Sequence, residues 1–278
     1  MKDFLKKLYA FVADLLNSIV SVLSVLIFSS FKAAAKFKET GNDDVVILAN
    51  GPSLNDAINA NSDNIMKHKK VAVNFFCNTD YYLQLKPEYY VVADDLFFAG
   101  GKESERFLEG LKNTTWPMDL FLPVLYRRSG VIQLIKQIQN VNIVWYNTTP
   151  VSGLKSIAHF LFNHNLGMPR PENVLCASAF LCIRMKIKKI YVLGADHSWL
   201  SNFYINDNNQ LVLVIERFYG NDESIIPSTF STWLMTQYNC FKAHEEISAY
   251  AKEQRCEIIN LTKGSYIDSY TRGSIDEL

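Results

Sequence analysis

The chain has 278 residues, 49% of them hydrophobic and 20% charged, which is enough for a full hydrophobic core. Lysine plus arginine and aspartate plus glutamate balance at 28 each, so no net field steers the chain to nucleic acid, and nucleic-acid binding is excluded as its main role. The five cysteines are odd in number and form no Cys-x-x-Cys pair, which excludes a disulfide framework and predicts buried, reduced thiols in a reducing compartment.

The first segment, Leu8–Phe31, is strongly apolar and flanked by Lys2, Lys6 and Lys7 on one side and Lys32, Lys36 and Lys38 on the other. Its length approaches one bilayer crossing, although Asp14 and Asn17 interrupt it. The pattern fits an interfacial membrane anchor, a single span, or a signal peptide or packed helix. Lysines at both ends suit an anionic membrane surface. The predicted organisation is an N-terminal apolar, membrane-associated helix and connector over residues 1–42. A Rossmann-like nucleotide-binding catalytic domain follows over 43–278.

From Asp44 onward, apolar runs alternate with helical patterns. Strands are predicted at Val45–Ala49, Val71–Phe75, Tyr89–Ala93, Leu120–Val124, Asn142–Trp145, Lys189–Leu193 and Glu257–Asn260. Helices are predicted at Ser53–Asn59, Lys102–Leu111, Gly130–Gln139, Lys155–Asn163, Glu172–Met185 and Thr232–Lys252. This order predicts an α/β fold with a doubly wound, mostly parallel sheet. The stretch 202–231 shows no clear pattern and reads as a lid.

Ligands of such sheets bind beyond the carboxyl ends of the strands, which singles out the residues just after each one. After the first strand come Asn50, Gly51, Pro52 and Ser53. The glycine permits close backbone approach, the proline stiffens the turn, and Ser53 opens a helix whose N-terminus favours an anion. After the second comes Asn74, which can bind ribose or base or close a turn. Asp94 and Asp95 follow the third, as ligands for a ribose, metal or hydroxyl or as a solvated turn. After the sixth come Gly194, Asp196 and His197 in GADHSW. Asp196 can bind a nucleotide or orient a neighbour, and His197 can act as an acid or base or hydrogen-bond a phosphate. His244 lies on a predicted helix, and Tyr204, Tyr219 and Tyr238 could close from the lid. No His, Cys or carboxylate cluster has metal-ligand spacing, so no metal site is predicted.

The segments NGPSL, Asn74 and CASAFLCIRMKIKKIYVLGADHSW together resemble the bacterial family-42 sialyltransferases. They also resemble the domain of archaeal 6-hydroxymethylpterin diphosphokinase, in which KPEYYVVADD supplies a proline and a strand-terminal aspartate. The first resemblance implies binding of a CMP-sugar through Asn50, Gly51, Ser53, Asn74, Gly194 and Asp196, without a metal, and a possible role for Tyr204 near the phosphate. That family's histidine base would fall near Met235–Tyr238, where no histidine stands, so His197 or His244 would substitute. The second resemblance implies ATP and Mg²⁺, with Asp94, Asp95 or Asp196 as ligands.

The expected function is a membrane-associated, sialyltransferase-like glycosyltransferase. It would use a nucleotide-activated sugar, CMP-linked as the resemblance implies, and build cell-surface glycan or lipopolysaccharide on the cytoplasmic face of the inner membrane. Its expected partners are the sugar donor, a glycan or lipid-linked acceptor, the membrane surface and a possible second copy of the chain. A Mg²⁺-dependent diphosphokinase and a non-catalytic nucleotide-binding module are the alternatives.

Overall fold

A computed structural model describes residues 1–41 and 44–278. The predicted end of the connector at Asn42 and the predicted start of the catalytic domain at residue 43 lie outside the described residues.

Two helices precede the sheet: α1 (Lys2–Phe28) and α2 (Phe31–Lys36). The sheet starts where β-branched residues run without a polar break. β1 (Val45–Leu48) is buried at every position. Its continuity is that of a strand covered on both faces. Helix α3 (Ser53–Met66) leads to β2 (Lys69–Val73), α4 (Asp80–Leu85) to β3 (Tyr89–Val91), α5 (Lys102–Leu111) to β4 (Met118–Pro123), and α6 (Gly130–Ile135) to β5 (Val141–Tyr146). Helices α7 (Lys155–Asn163) and α8 (Val174–Arg184) then carry the chain back to β6 (Lys189–Leu193). An antiparallel sheet follows, of β7 (Phe203–Ile205), β8 (Leu211–Arg217) and β9 (Gly220–Ile226). Helix α9 (Phe230–Glu253), β10 (Glu257–Asn260) and β11 (Thr271–Arg272) complete the order.

The main sheet runs β11-β10-β6-β1-β2-β3-β4-β5, with every neighbouring pair parallel. The α/β doubly wound expectation therefore holds. Side chains alternate with period two. Val45, Ile47, Val71 and Val73 pack with α8 and α9 on one face, and Val46, Leu48, Ala72 and Leu120 pack with α3, α5 and α6 on the other. The chain leaves β1 in one direction through β2 to β5, then returns to place β6 on its other side. The topological switch point thus lies between β1 and β6.

Boundaries moved where local chemistry overrides apolar runs. β2 stops at Val73, not Phe75, because Asn74 adopts φ +51° and turns the chain. α8 begins after Asn173, whose side-chain Oδ1 accepts from the Cys176 amide and caps it. α3 extends to Met66 through an asparagine-rich stretch that hid its period. The stretch 202–231, expected as an irregular lid, is instead mostly the β7–β9 sheet. The two-residue turn between β8 and β9 is pinned to the body: the Phe218 amide donates to the Asn50 carbonyl (3.2 Å), and Asn55 Nδ2 donates to the Phe218 carbonyl (2.6 Å).

Helix α1 has an inverted surface. Ser18, Ser21 and Val25 are its buried residues, while Leu15, Ile19, Leu23, Leu26 and Ile27 face outward. Ser18 Oγ accepts from the Leu154 amide at 2.8 Å, and Ser21 Oγ both accepts from the Ser152 amide and donates to the Ser152 carbonyl, each at 3.0 Å. Gly153, at φ +109°, admits this contact: a Cβ there would strike the backbone of α1 at Ser18.

On α9, burial pushes the Glu246 carboxyl up to about 7 against the pull of Lys242, with Glu245 and Asp14 of α1 adding like charge. The unfolded chain titrates this group near 4.5. The folded state therefore binds the extra proton between these values, and the cost of the charged form is absent below about pH 4.5 and complete above about pH 7. Glu246→Gln is expected to leave thermal unfolding unchanged at pH 4.5. At pH 8 it should stabilise the chain by about 1–2 kcal/mol, or roughly 2–8 °C, as read by calorimetry at the two pH values.

Candidate functional site

A cleft of about 490 Å³ opens at the switch point, bordered by the turns after β1, β2, β3 and β6. This is within the usual range for a small-molecule site. The turn after β1 touches the turn after β6 directly. The Gly51 amide donates to the Gly194 carbonyl at 2.8 Å. A Cβ on Gly51 would collide with the Asp196 carboxylate and the Gly194 carbonyl, so no side chain fits. Gly194 has φ +68°, and its Cβ would lie 2.9 Å from that of Leu54.

Ser53 does not border the cleft. Its Oγ donates to Asp196 Oδ2 at 2.8 Å and so fixes the carboxylate. Burial raises the Asp196 carboxyl above its ordinary value, with the Ser53 bond opposing. Asn50 Oδ1 and Asn74 Oδ1 are both buried and have no hydrogen-bond partner among the described residues. Both residues line the cleft. An unpaired buried carbonyl oxygen costs about 1–3 kcal/mol, so these atoms point to a ligand that donates to them. Asn74 also sits in left-handed backbone, a conformation concentrated at functional sites.

The other predicted residues divide. Pro52, Gly194, Asp94 and His197 line the cleft. Asp94 accepts from the Leu96 amide at 3.3 Å and caps the short turn that follows; burial raises its carboxyl. Asp95 does not line the cleft. Tyr204 is exposed on β7, with its hydroxyl donating to Glu223 at 3.1 Å, and is also outside the cleft. Among the described residues, Asp94, Asp95 and Asp196 do not converge into a metal-holding group.

His197 half-emerges at the cleft in left-handed backbone (φ +55°). Its Nε2 lies 3.0 Å from His244 Nε2, and His244 Nδ1 lies 2.7 Å from the Tyr270 hydroxyl. His244 is fully buried and does not reach the cleft. Burial lowers the proton affinity of His197, and it lowers that of His244 to about 3. Both rings are therefore neutral near pH 7.

Sequence spacing did not group Cys176, Cys240 and His244, but the fold brings one ligating atom of each within 4.8 Å. Cys176 Sγ is 3.5 Å from Nε2 and 3.8 Å from Nδ1 of His244, so it lies over the ring rather than along a lone pair. Both nitrogens of His244 are already engaged. The cluster is built as a hydrogen-bonded chain, not as a ready metal cage.

Sequence reasoning also missed the contributions of β8 and α9. Leu213, Ile215 and Arg217 from β8 and Thr236 and Gln237 from α9 border the cleft. The run LVLVI falls in the stretch read as a lid without a clear pattern, and nothing local tells which end of it faces the switch point. The Met235–Tyr238 stretch reaches the cleft through Thr236 and Gln237, and His197 borders it from the loop after β6.

The chain matches no protein-family model and no curated protein sequence. Its fold is similar to that of the MAf glycosyltransferase from Magnetospirillum magneticum AMB-1, with a TM-score of 0.51 and 12% sequence identity. The match covers 90% of this chain but 38% of that enzyme. At that identity the likeness establishes the fold: a Rossmann-like α/β sheet of a kind found in a glycosyltransferase.

Gly51→Ala tests the contact on which the site is built. It is expected to destabilise the chain by about 1–3 kcal/mol, read from urea unfolding, because Asp196 or the β6 turn must move. An unchanged midpoint would show that the two turns are not tightly packed.

Proposed function

We propose that this chain is a membrane-associated glycosyltransferase that uses a nucleotide-activated sugar, with a CMP-sugar as the donor. The observation that carries the reading is the pair of unpartnered acceptors, Asn50 Oδ1 and Asn74 Oδ1, at the switch-point cleft. Acceptors there call for ribose hydroxyls or an exocyclic amine, and cytidine carries both. The fold likeness to a glycosyltransferase supports the same class.

In this reading Asn50, Gly51, Pro52, Asn74 and Gly194 hold the nucleotide, and Asp94 contacts the sugar or acceptor. An acceptor hydroxyl oxygen bonds to the anomeric carbon and gives its proton to the Asp196 carboxylate, whose raised proton affinity suits a base. The bond from the anomeric carbon to the donor phosphate breaks, and its electron pair leaves with the nucleotide. His197 meets that phosphate.

A thermal-shift panel of CMP, CMP-sugars, UDP-sugars, and ATP with and without Mg²⁺ tests the class. Stabilisation by CMP and CMP-sugars is expected; stabilisation by ATP with Mg²⁺ alone would favour the diphosphokinase. Asp196→Asn is expected to lower transfer by about 10²–10⁴-fold, measured as release of nucleotide from the sugar donor.

The outward face of α1 supports a lipid-surface placement. The seam from Asp14 to Ser29 keeps the helix against its own domain over about 24 Å, which favours a helix lying in the interface over one crossing the bilayer. On the cytoplasmic face it would bring the cleft to a lipid-linked acceptor. The triple change Leu15→Gln, Ile19→Gln and Leu26→Gln, at outward positions, removes apolar surface without adding charge and is expected to abolish co-sedimentation with anionic phosphatidylglycerol vesicles. Retained binding would refute the interfacial placement.

A further inference from the structure

The cleft's only described histidine is held by a residue that no motif pointed to, Asn173. Its amide orientation is set by its other role. Oδ1 accepts from the Cys176 amide at 2.8 Å as the cap of α8, so Nδ2 faces the opposite way. Nδ2 lies 3.1 Å from His197 Nε2 and 2.9 Å from Cys240 Sγ. An amide nitrogen only donates. His197 Nε2 must therefore accept, and in a neutral ring the proton then sits on Nδ1.

The rest of the chain agrees with this assignment. The two Nε2 atoms at 3.0 Å need one proton between them. Since His197 Nε2 accepts, His244 Nε2 carries that proton, the one Nε2 lone pair of His197 is shared between His244 and the Asn173 amide, and His244 Nδ1 accepts from the Tyr270 hydroxyl at 2.7 Å. Burial holds the Tyr270 phenol protonated, well above its ordinary range. The donors run in one direction, from Tyr270 through His244 to His197, the member that lines the cleft. Trp199 and Phe241 pack against the His197 ring and restrict its rotation.

We propose that Asn173 is a positioning residue that locks His197 as the neutral Nδ1–H tautomer, so that His197 presents a hydrogen-bond donor to the cleft rather than a base. This rests on the glycosyltransferase reading for its chemical use and deepens it. The donor would meet the negative charge that develops on the leaving phosphate oxygen as the anomeric bond breaks, with no proton transferred. The acceptor's proton goes to Asp196, and the two roles are divided between adjacent residues. A base at His197 would need the opposite tautomer, with a proton directed at the amide hydrogens of Asn173.

Long-range ¹⁵N–¹H spectra of the full chain labelled in histidine, at pH 7.5 and without ligand, read the tautomer directly. His197→Ala assigns its signals among the five histidines. The expected result is a protonated Nδ1 and an unprotonated Nε2 for His197. A protonated Nε2 would overturn the proposal. Asn173→Ser keeps a capping oxygen but removes the donor. It is expected to move His197 toward the Nε2–H form and to lower kcat for nucleotide release by roughly 10²-fold, with KM for the sugar donor little changed. An unchanged spectrum in that variant would also overturn it. The spectra need no substrate: if the tautomer is as stated but no sugar nucleotide is turned over, the glycosyltransferase reading falls and the assignment stands.

Discussion

The backbone contact between Gly51 and Gly194 is the constraint from which the rest of the cleft follows. It joins the turns after two neighbouring parallel strands, β1 and β6, at the point where the sheet's winding reverses. Strand ends at a switch point diverge, because the connections leave toward opposite faces. Only residues without side chains let the two turns close to 2.8 Å before diverging. Asp196 is then delivered over Gly51, where Ser53 holds it. The loop after β10 secures the same segment from behind: the Tyr266 amide donates to the Asp196 carbonyl, and the Ala195 amide donates to Thr262 Oγ1. The carboxylate is thus positioned by the sheet's topology rather than by its own loop.

The polar groups of the cleft sort by the element that supplies them. The strand-end turns supply acceptors: Asn50 Oδ1, Asn74 Oδ1 and the Asp196 carboxylate. The histidine chain, backed by α8, α9 and the segment after β10, supplies a directed N–H. Buried polar chains are costly unless each member has a partner. Here Tyr270, His244 and His197 are paired in series, and Asn173 closes the end. The neutral state of both rings follows from that burial, which outweighs the attraction of Asp268 for a charge on His244.

The sheet was legible because a parallel strand covered on both faces leaves an uninterrupted apolar run. Lys189–Leu193 and Glu257–Asn260 match their predicted limits for that reason. The switch point was legible through glycine: Gly51 and Gly194 stand where backbone must approach backbone. What the sequence does not display is which distant elements close on these turns. Tyr204 has the chemistry of a phosphate contact but pairs with Glu223 on the outer side of the small sheet. Asn173 falls inside the predicted helix Glu172–Met185 with nothing to mark it as a cap, and its second role exists because α9 brings Cys240 and His244 beside His197. Cys240 and His244 stand four apart on α9, but Cys176 lies 64 residues before Cys240 and His197 stands on a strand-end loop, so no local spacing assembles the whole cluster.

Helix α1 poses the same problem in reverse, because its local pattern was plain and its placement was not. An amphipathic helix in water buries its leucines and exposes its serines. This one buries Ser18 and Ser21 and exposes Leu15, Ile19, Leu23 and Leu26. The serines satisfy backbone groups of residues 152–154 that would otherwise be left unpaired at the contact. Gly153 lets the helix approach closely enough for those bonds to form. Close approach through small and polar residues is how helices associate where the surroundings are as apolar as their own side chains. The seam fits the proposed placement, in which the outward face meets lipid, while the inward face is held by hydrogen bonds to residues 152–154 and, past the helix end, to Thr149 and Leu166.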